Sequence, residues 1–258
     1  MRILLTNDDG IFAPGLAAIY KQLIHLGEVL VVAPADSQSG ASHAVTFFEP
    51  LACAKADIGG LFSGFAVYGS PADCVKLAVI QLHKDPIDLV VAGINNGANV
   101  GINVYYSGTV AAAMEAAFLG IPSVAMSLAA EKEMDFDGAA EHCIDVLERL
   151  GPLKARDVIN VNVPLLSRGD PKGIRVVAQA TSGFHEYYIP QGDDEARTLF
   201  QLAGGGHRRE LLPVDTTALA EGFITVTPLR PDMTDHAKIE PMKSQFSNDA
   251  RHRSRGTL

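Results

Sequence analysis

The sequence predicts an α/β protein, a mostly parallel sheet with helices on both faces, extended in its second half by a β-rich arm and a C-terminal extension. Three observations lead there. Short apolar runs alternate with segments of helical period from residue 2 to residue 163. The stretch Ile87 to Ala92 is almost wholly apolar, as in a strand covered on both faces. Strand after strand also ends in a polar, glycine-containing loop, and open α/β sheets place ligands at such ends.

Residues 2 to 6 read as the first strand, stopping at Asn7-Asp8-Asp9-Gly10, and Leu16, Ile19, Leu23 and Leu26 mark a helix over 15 to 26. A second strand, Val29 to Ala33, meets Pro34 and a long Ser- and Gly-containing loop through Ser42. Weaker strands are expected at Val45 to Phe48 and Phe65 to Tyr68. Ser70-Pro71-Ala72-Asp73 then combines an N-cap, a proline at the first helical position and a capping acid, predicting a helix to about Leu82. The strand Ile87 to Ala92 empties into the loop Gly93 to Asn99.

Ser107-Gly108-Thr109 opens the next helix, which carries Val110, Ala113, Met114 and Ala117 on one face and ends at Gly120 before Pro122. A strand at Val124 to Met126, a helix from Phe136 to Leu150 and a strand from Val158 to Val163 complete the regular alternation. Residues 181 to 221 mix Tyr187, Tyr188, Phe200 and Gly204-Gly205-Gly206 with charges, predicting a protruding hairpin or arm. Phe223 to Thr227 resumes a strand. Arg251, His252, Arg253 and Arg255 make the end basic, the composition of a solvated tail.

Composition narrows the function. With 258 residues, 47% of them hydrophobic, the chain can bury a sizeable core. A formal charge of −9 argues against binding along a nucleic-acid duplex, which requires clustered Lys and Arg, so an anionic substrate needs a local positive centre. Cys53, Cys74 and Cys143 are widely spaced and odd in number, which suggests neither a disulfide framework nor a zinc cluster and fits a reducing cytoplasm. The apolar run Ile3-Leu4-Leu5 is too short for a signal-peptide core or a membrane span.

Asp8 and Asp9 are adjacent carboxylates that repel each other unless a cation or proton neutralises them. Their hard oxygens suit Mg²⁺ or Mn²⁺. Ser39 and Asn95 lie in two other loops expected at the same sheet edge and offer neutral oxygens to such an ion. Ser107, Gly108 and Thr109, at a helix start, offer N–H groups and hydroxyls to a phosphate. The parts describe hydrolysis of a phosphomonoester by water, with Asp8 or Asp9 also orienting or deprotonating it. Two alternatives stay open here: a nucleophilic Asp forming an aspartyl phosphate, and a non-catalytic nucleotide-binding protein. A dinucleotide-binding oxidoreductase is disfavoured, because the first turn has two acids where G-x-G-x-x-G belongs.

Five motifs, Asn7-Asp8-Asp9-Gly10, Ser39-Gly40-Ala41-Ser42, Tyr68-Gly69-Ser70-Pro71-Ala72-Asp73-Cys74, Gly93-Ile94-Asn95 and Tyr106-Ser107-Gly108-Thr109-Val110, together resemble the SurE family of stationary-phase survival proteins. The resemblance implies one Rossmann-like domain over 1 to 258 that acts as a 5'- and 3'-nucleotidase on nucleoside monophosphates, with some activity on short polyphosphate. It also implies one divalent cation per subunit, Mg²⁺ or Mn²⁺, held by Asp8, Asp9, Ser39 and Asn95. Asn96, Ser107, Gly108 and Thr109 are then the expected phosphate contacts. A homodimer or homotetramer is implied as well, with C-terminal segments from about 230 to 258 exchanged between subunits.

Overall fold

A computed structural model of the chain describes residues 1–181, 184–194, 197–207 and 213–253. Arg255 of the basic end lies outside them. Strand β1 (Arg2–Thr6) pairs in parallel with β2 (Glu28–Pro34) across helix α1 (Pro14–Leu23). Strands β3 (Cys53–Ile58) and β4 (Phe62–Val67) form a hairpin, with β4 parallel to β2. Helix α2 (Pro71–Leu77) precedes β5 (Leu89–Asn96), which runs parallel to β1 on its other side. Helix α3 (Gly108–Phe118), β6 (Ser123–Leu128), α4 (Phe136–Leu150) and β7 (Val158–Val163) extend the parallel sheet.

The remaining elements are β8 (Ile174–Val176), the hairpin strands β9 (Phe184–Asp194) and β10 (Arg197–His207), α5 (Asp215–Ala220), β11 (Ile224–Leu229) and α6 (His236–Arg253). The main sheet is ordered β3-β4-β2-β1-β5-β6-β7-β11-β8, and β9 and β10 form a separate two-stranded sheet. Strand β11 is antiparallel to β7, so the sheet is mixed but mostly parallel. Its order reverses between β1 and β5, since the chain leaves β1 toward β2 and later returns to β1's other side. The crevice beyond the C-terminal ends of those two strands is where such a sheet binds ligands.

Alternation along β1 explains the two layers of helices. Ile3 and Leu5 pack with Leu16, Ile19 and Leu23 of α1 and with Ala139, Ala140 and Cys143 of α4. Leu4 points to the opposite face, with Cys74 and Val75 of α2 and Ala112 and Ala116 of α3. Each such fully buried Leu or Ile stabilises the fold by about 2 kcal/mol relative to exposure. The site therefore grows from the most deeply covered strands.

Several local expectations are corrected. Val45 to Phe48 is a loop, not a strand: Thr46 bonds to the Asp73 side chain through both its N–H and its hydroxyl, and Phe48 is fully exposed. The strand beside β4 is instead Cys53–Ile58, joined to it through Gly59 and Gly60, both at positive φ. The capping box of Ser70 and Asp73 forms as expected, but α2 ends at Leu77 and gives way to a π-helical turn over Ala78–Leu82, where the His83 N–H donates to the Ala78 carbonyl. Gly93 to Asn96 belongs to β5 rather than to a loop, and residues 215 to 220 of the expected arm are a buried helix, α5.

Candidate active site

Asp8 and Asp9 follow β1 in a turn locked by Asn7, whose amide donates to the Gly10 carbonyl at 2.8 Å and accepts from the Gly10 N–H at 3.2 Å. Asp8 is 3% exposed. Thr109, in the first turn of α3, donates its hydroxyl to Asp8 Oδ1 at 2.6 Å and its N–H to Oδ2 at 3.1 Å. Helix α3 can come this close because residue 108 is glycine: a Cβ there would lie 2.8 Å from Asp8 Cβ and 3.0 Å from its Oδ2. Asp9 Oδ2 accepts the Asn96 N–H at 2.9 Å, so the end of β5 holds the second carboxylate.

Burial pushes the Asp8 carboxyl above its ordinary pKa; the Thr109 hydroxyl opposes the rise and the Asp9 charge adds to it. Burial likewise raises Asp9, against the Asn96 N–H. Among the described residues lining the cleft at Asp8 there is no Lys, Arg or His. The site thus concentrates negative charge and hydrogen-bonds it firmly, without a basic side chain to balance it.

Asn95 donates its amide to the Gly97 carbonyl at 2.7 Å, which fixes the side chain and leaves its oxygen able to accept a further partner. Ser39 hydrogen-bonds Ser37 hydroxyl to hydroxyl at 3.1 Å on an exposed loop. Asp8, Ser39, Asn95, Asn96 and Ser107 line one cleft of about 780 Å³. Carboxylate, hydroxyl and amide oxygens make an all-oxygen donor set, whose chemistry fits Mg²⁺ or Mn²⁺; among the described residues no group of three or more His, Cys, Asp or Glu is placed to hold a metal ion.

The helix start divides its labour. Ser107 accepts the Val110 N–H at 3.1 Å as the cap of α3, and its hydroxyl proton stays available to a ligand in the cleft. Thr109 is fully buried and turns both donors to Asp8 rather than to the cleft. His43 sits away from the carboxylates: its Nε2 is 2.9 Å from Glu115 Oε2 and its ring stacks on Phe118. Glu115 also pairs with Lys76 at 2.5 Å, so the loop following Ser39 is clamped to α3 and α2.

Sequence reasoning missed the cleft's floor and far wall. Asn99 lines the cleft and is anchored from below: its N–H donates to Asn162 Oδ1 at 2.7 Å, its amide to Ser127 Oγ at 2.8 Å, and its carbonyl accepts from Asn160 at 2.7 Å. The alternating asparagines of Val158-Ile159-Asn160-Val161-Asn162-Val163 were the available signal, since polar groups on a buried strand require partners. Asp215, fully buried, accepts N–H groups from Gly101 and Ala180 at 2.9 Å and from Thr216 at 2.7 Å. Glu186, Tyr188 and Leu202 of the β9–β10 hairpin close the far end, placed there by tertiary structure alone.

Comparison with known proteins agrees with this fold. The family model described as "Survival protein SurE" matches residues 3–186. A "5'-nucleotidase SurE" from Rhodopirellula baltica is 45% identical, covering 94% of this chain and 98% of its own length. One from Syntrophus aciditrophicus is 41% identical, covering 96% and 95%. A crystal structure titled as SurE protein from Aquifex aeolicus superposes with a TM-score of 0.82 at 36% identity, covering 95% of this chain and 99% of that one.

Proposed function

The chain belongs to the SurE family, and from that premise we propose that it is a divalent-metal-dependent 5'-nucleotidase, converting nucleoside monophosphates to nucleoside and inorganic phosphate. The observation that carries the reading is the pair Asp8 and Asp9, fixed at the reversal of strand order with no basic side chain among the described cleft residues. Asp8, Asp9, Ser39 and Asn95 would hold one Mg²⁺ or Mn²⁺. Bound there, the ion supplies positive charge to a phosphoryl oxygen and acidifies water.

The chain's own residues do the rest. Thr109 immobilises both oxygens of Asp8, making it the rigid anchor of the site. Asp9, held through Oδ2 by the Asn96 N–H, orients the attacking water and takes its proton. Ser107 donates its hydroxyl to the phosphate, with Asn96 and Gly108 beside it, while Thr109 serves the phosphate only through Asp8. The burial and double hydrogen bonding of Asp8 favour direct attack by water over an aspartyl phosphate.

Activity extends in this proposal to 3'-monophosphates and short polyphosphate. The protein works in the cytoplasm; among the described residues no helix is long and apolar enough to cross a membrane. It assembles as a homodimer or homotetramer, a reading supported by α6, whose Met242 and Phe246 are exposed. Phosphate release from nucleoside 5'- and 3'-monophosphates and polyphosphate, with Mg²⁺, with Mn²⁺ and with chelator, tests the whole. Metal-dependent release from 5'-monophosphates is expected; equal release in chelator, or none from any nucleotide, would overturn it.

A further inference from the structure

The cleft, about 780 Å³, is much larger than a phosphate. It begins at Asp8 and Ser107 and ends at the β9–β10 hairpin, whose Glu186, Tyr188 and Leu202 line it. The ladder pairs Leu202 with Tyr188 and Gly204 with Glu186, and in a two-stranded ribbon cross-strand partners and every second residue share one face. The three lining residues therefore form one face, turned into the cleft that Asp8 also lines. Tyr187 and Ile189, on the alternate positions, are not part of this lining.

That face is chemically unlike the rest of the cleft. Asn95, Asn96, Asn99, Asn103 and Ser107 make the phosphate end polar, with Tyr106 as its one aromatic ring, whereas Tyr188 and Leu202 pair an aromatic ring with an aliphatic side chain. Tyr188 is 66% exposed, a large aromatic ring left mostly open to solvent. A planar heteroaromatic ligand would cover it, and base–aromatic stacking accepts any base because every base has a π-face.

Resting on the nucleotidase reading above, we propose that the β9–β10 hairpin is the nucleoside clamp: Tyr188 stacks on the base, Leu202 lies beside it, and the Glu186 carboxylate accepts a hydrogen bond from a ribose hydroxyl. The clamp measures the presence of a base, not its identity. Purine and pyrimidine monophosphates are therefore both taken, and a phosphomonoester lacking a base loses the contact entirely.

The test compares KM and kcat for a nucleoside 5'-monophosphate and for ribose 5-phosphate in the full-length protein, Tyr188→Ala and Tyr188→Phe. Tyr188→Ala should raise the nucleotide KM about ten-fold, the size of one lost stacking contact, with kcat little changed. Ribose 5-phosphate should be indifferent to it, and Tyr188→Phe should restore the nucleotide KM. An unchanged nucleotide KM in Tyr188→Ala, with wild-type turnover normal, overturns the clamp and leaves the nucleotidase reading standing. So does an altered sedimentation rate with KM held, which would assign the ring to a contact between copies. If the wild type releases no phosphate from any nucleotide, the nucleotidase reading falls and calorimetric binding of adenosine decides: weaker binding in Tyr188→Ala sustains the clamp, equal binding overturns it.

Discussion

Replacing Thr109 by valine removes one hydroxyl while keeping the shape of the side chain and the backbone N–H bond to Asp8. The lost interaction is a hydrogen bond of 2.6 Å to a carboxylate that is 3% exposed. A hydrogen bond to a charged group contributes about 1.5–3 kcal/mol, and the deserted Asp8 Oδ1 has little water to replace its donor. Metal-free Thr109→Val should therefore be less stable in urea unfolding, by about 2 kcal/mol. Loss of a partner that orients a metal ligand typically costs about ten- to a hundred-fold in affinity or activity, so the Mg²⁺ or Mn²⁺ needed for half-maximal phosphate release should rise by that factor. Thr109→Ser, which keeps the hydroxyl, should stay close to wild type. If Thr109→Val loses stability yet keeps its metal requirement and kcat/KM, Asp8 is not the anchor and the assignment of α3 to the site is wrong.

Three further outcomes follow from the same geometry. Ser107→Ala should raise the nucleotide KM and also destabilise by about 1 kcal/mol, because the hydroxyl both faces the cleft and caps α3; a stability loss alone would reduce Ser107 to a cap. Burial raises the Glu115 pKa, but the bonds from His43 and Lys76 outweigh it and hold it below the ordinary value. A carboxyl depressed in the folded state contributes stability above its unfolded pKa and loses it as pH falls toward the folded one, so denaturation from about pH 6 to about pH 3 should show wild type losing more stability than Glu115→Gln; parallel curves would refute the clamp on the His43 loop. Asp215→Asn sets an NH₂ or a single oxygen against three N–H donors and should lower the melting temperature sharply, by an amount equivalent to about 3 kcal/mol; an unchanged melting temperature would contradict the network.

What could be read without coordinates was local chemistry. The capping box at Ser70 and Asp73 and the acidic turn after β1 are encoded within a few residues, so both were visible. That Asn95 shares a sheet edge with that turn was expected from the β-α alternation, and the sheet bears out the mostly parallel α/β fold, though its strand order was not read from the sequence. Val45 to Phe48 misled because β-branched and aromatic residues express strand preference only where a neighbouring strand accepts their hydrogen bonds, and here the Asp73 side chain accepts those of Thr46 while Ser70 holds the adjoining Ala44 carbonyl. Thr109 was read as a phosphate contact because a helix start offers donors to any anion; only packing reveals that the anion it meets is Asp8. Tyr188, 180 residues along the chain from Asp8, was beyond spacing altogether.

The buried Asp215 has a consequence for the order in which the molecule is made. It ties Gly101, 114 positions earlier, to α5, and Gly101 belongs to the segment that carries Asn99 and leads to α3. Contacts of such long sequence separation form late, since the intervening chain must be closed into a loop first. A nascent chain emerging from synthesis can thus pair β1, β2 and β5 well before Gly101 is fastened to α5. During that interval the acidic turn belongs to a sheet that already exists, while the segment leading from Asn99 to α3 still awaits the side chain that fastens it, supplied by the last third of the chain.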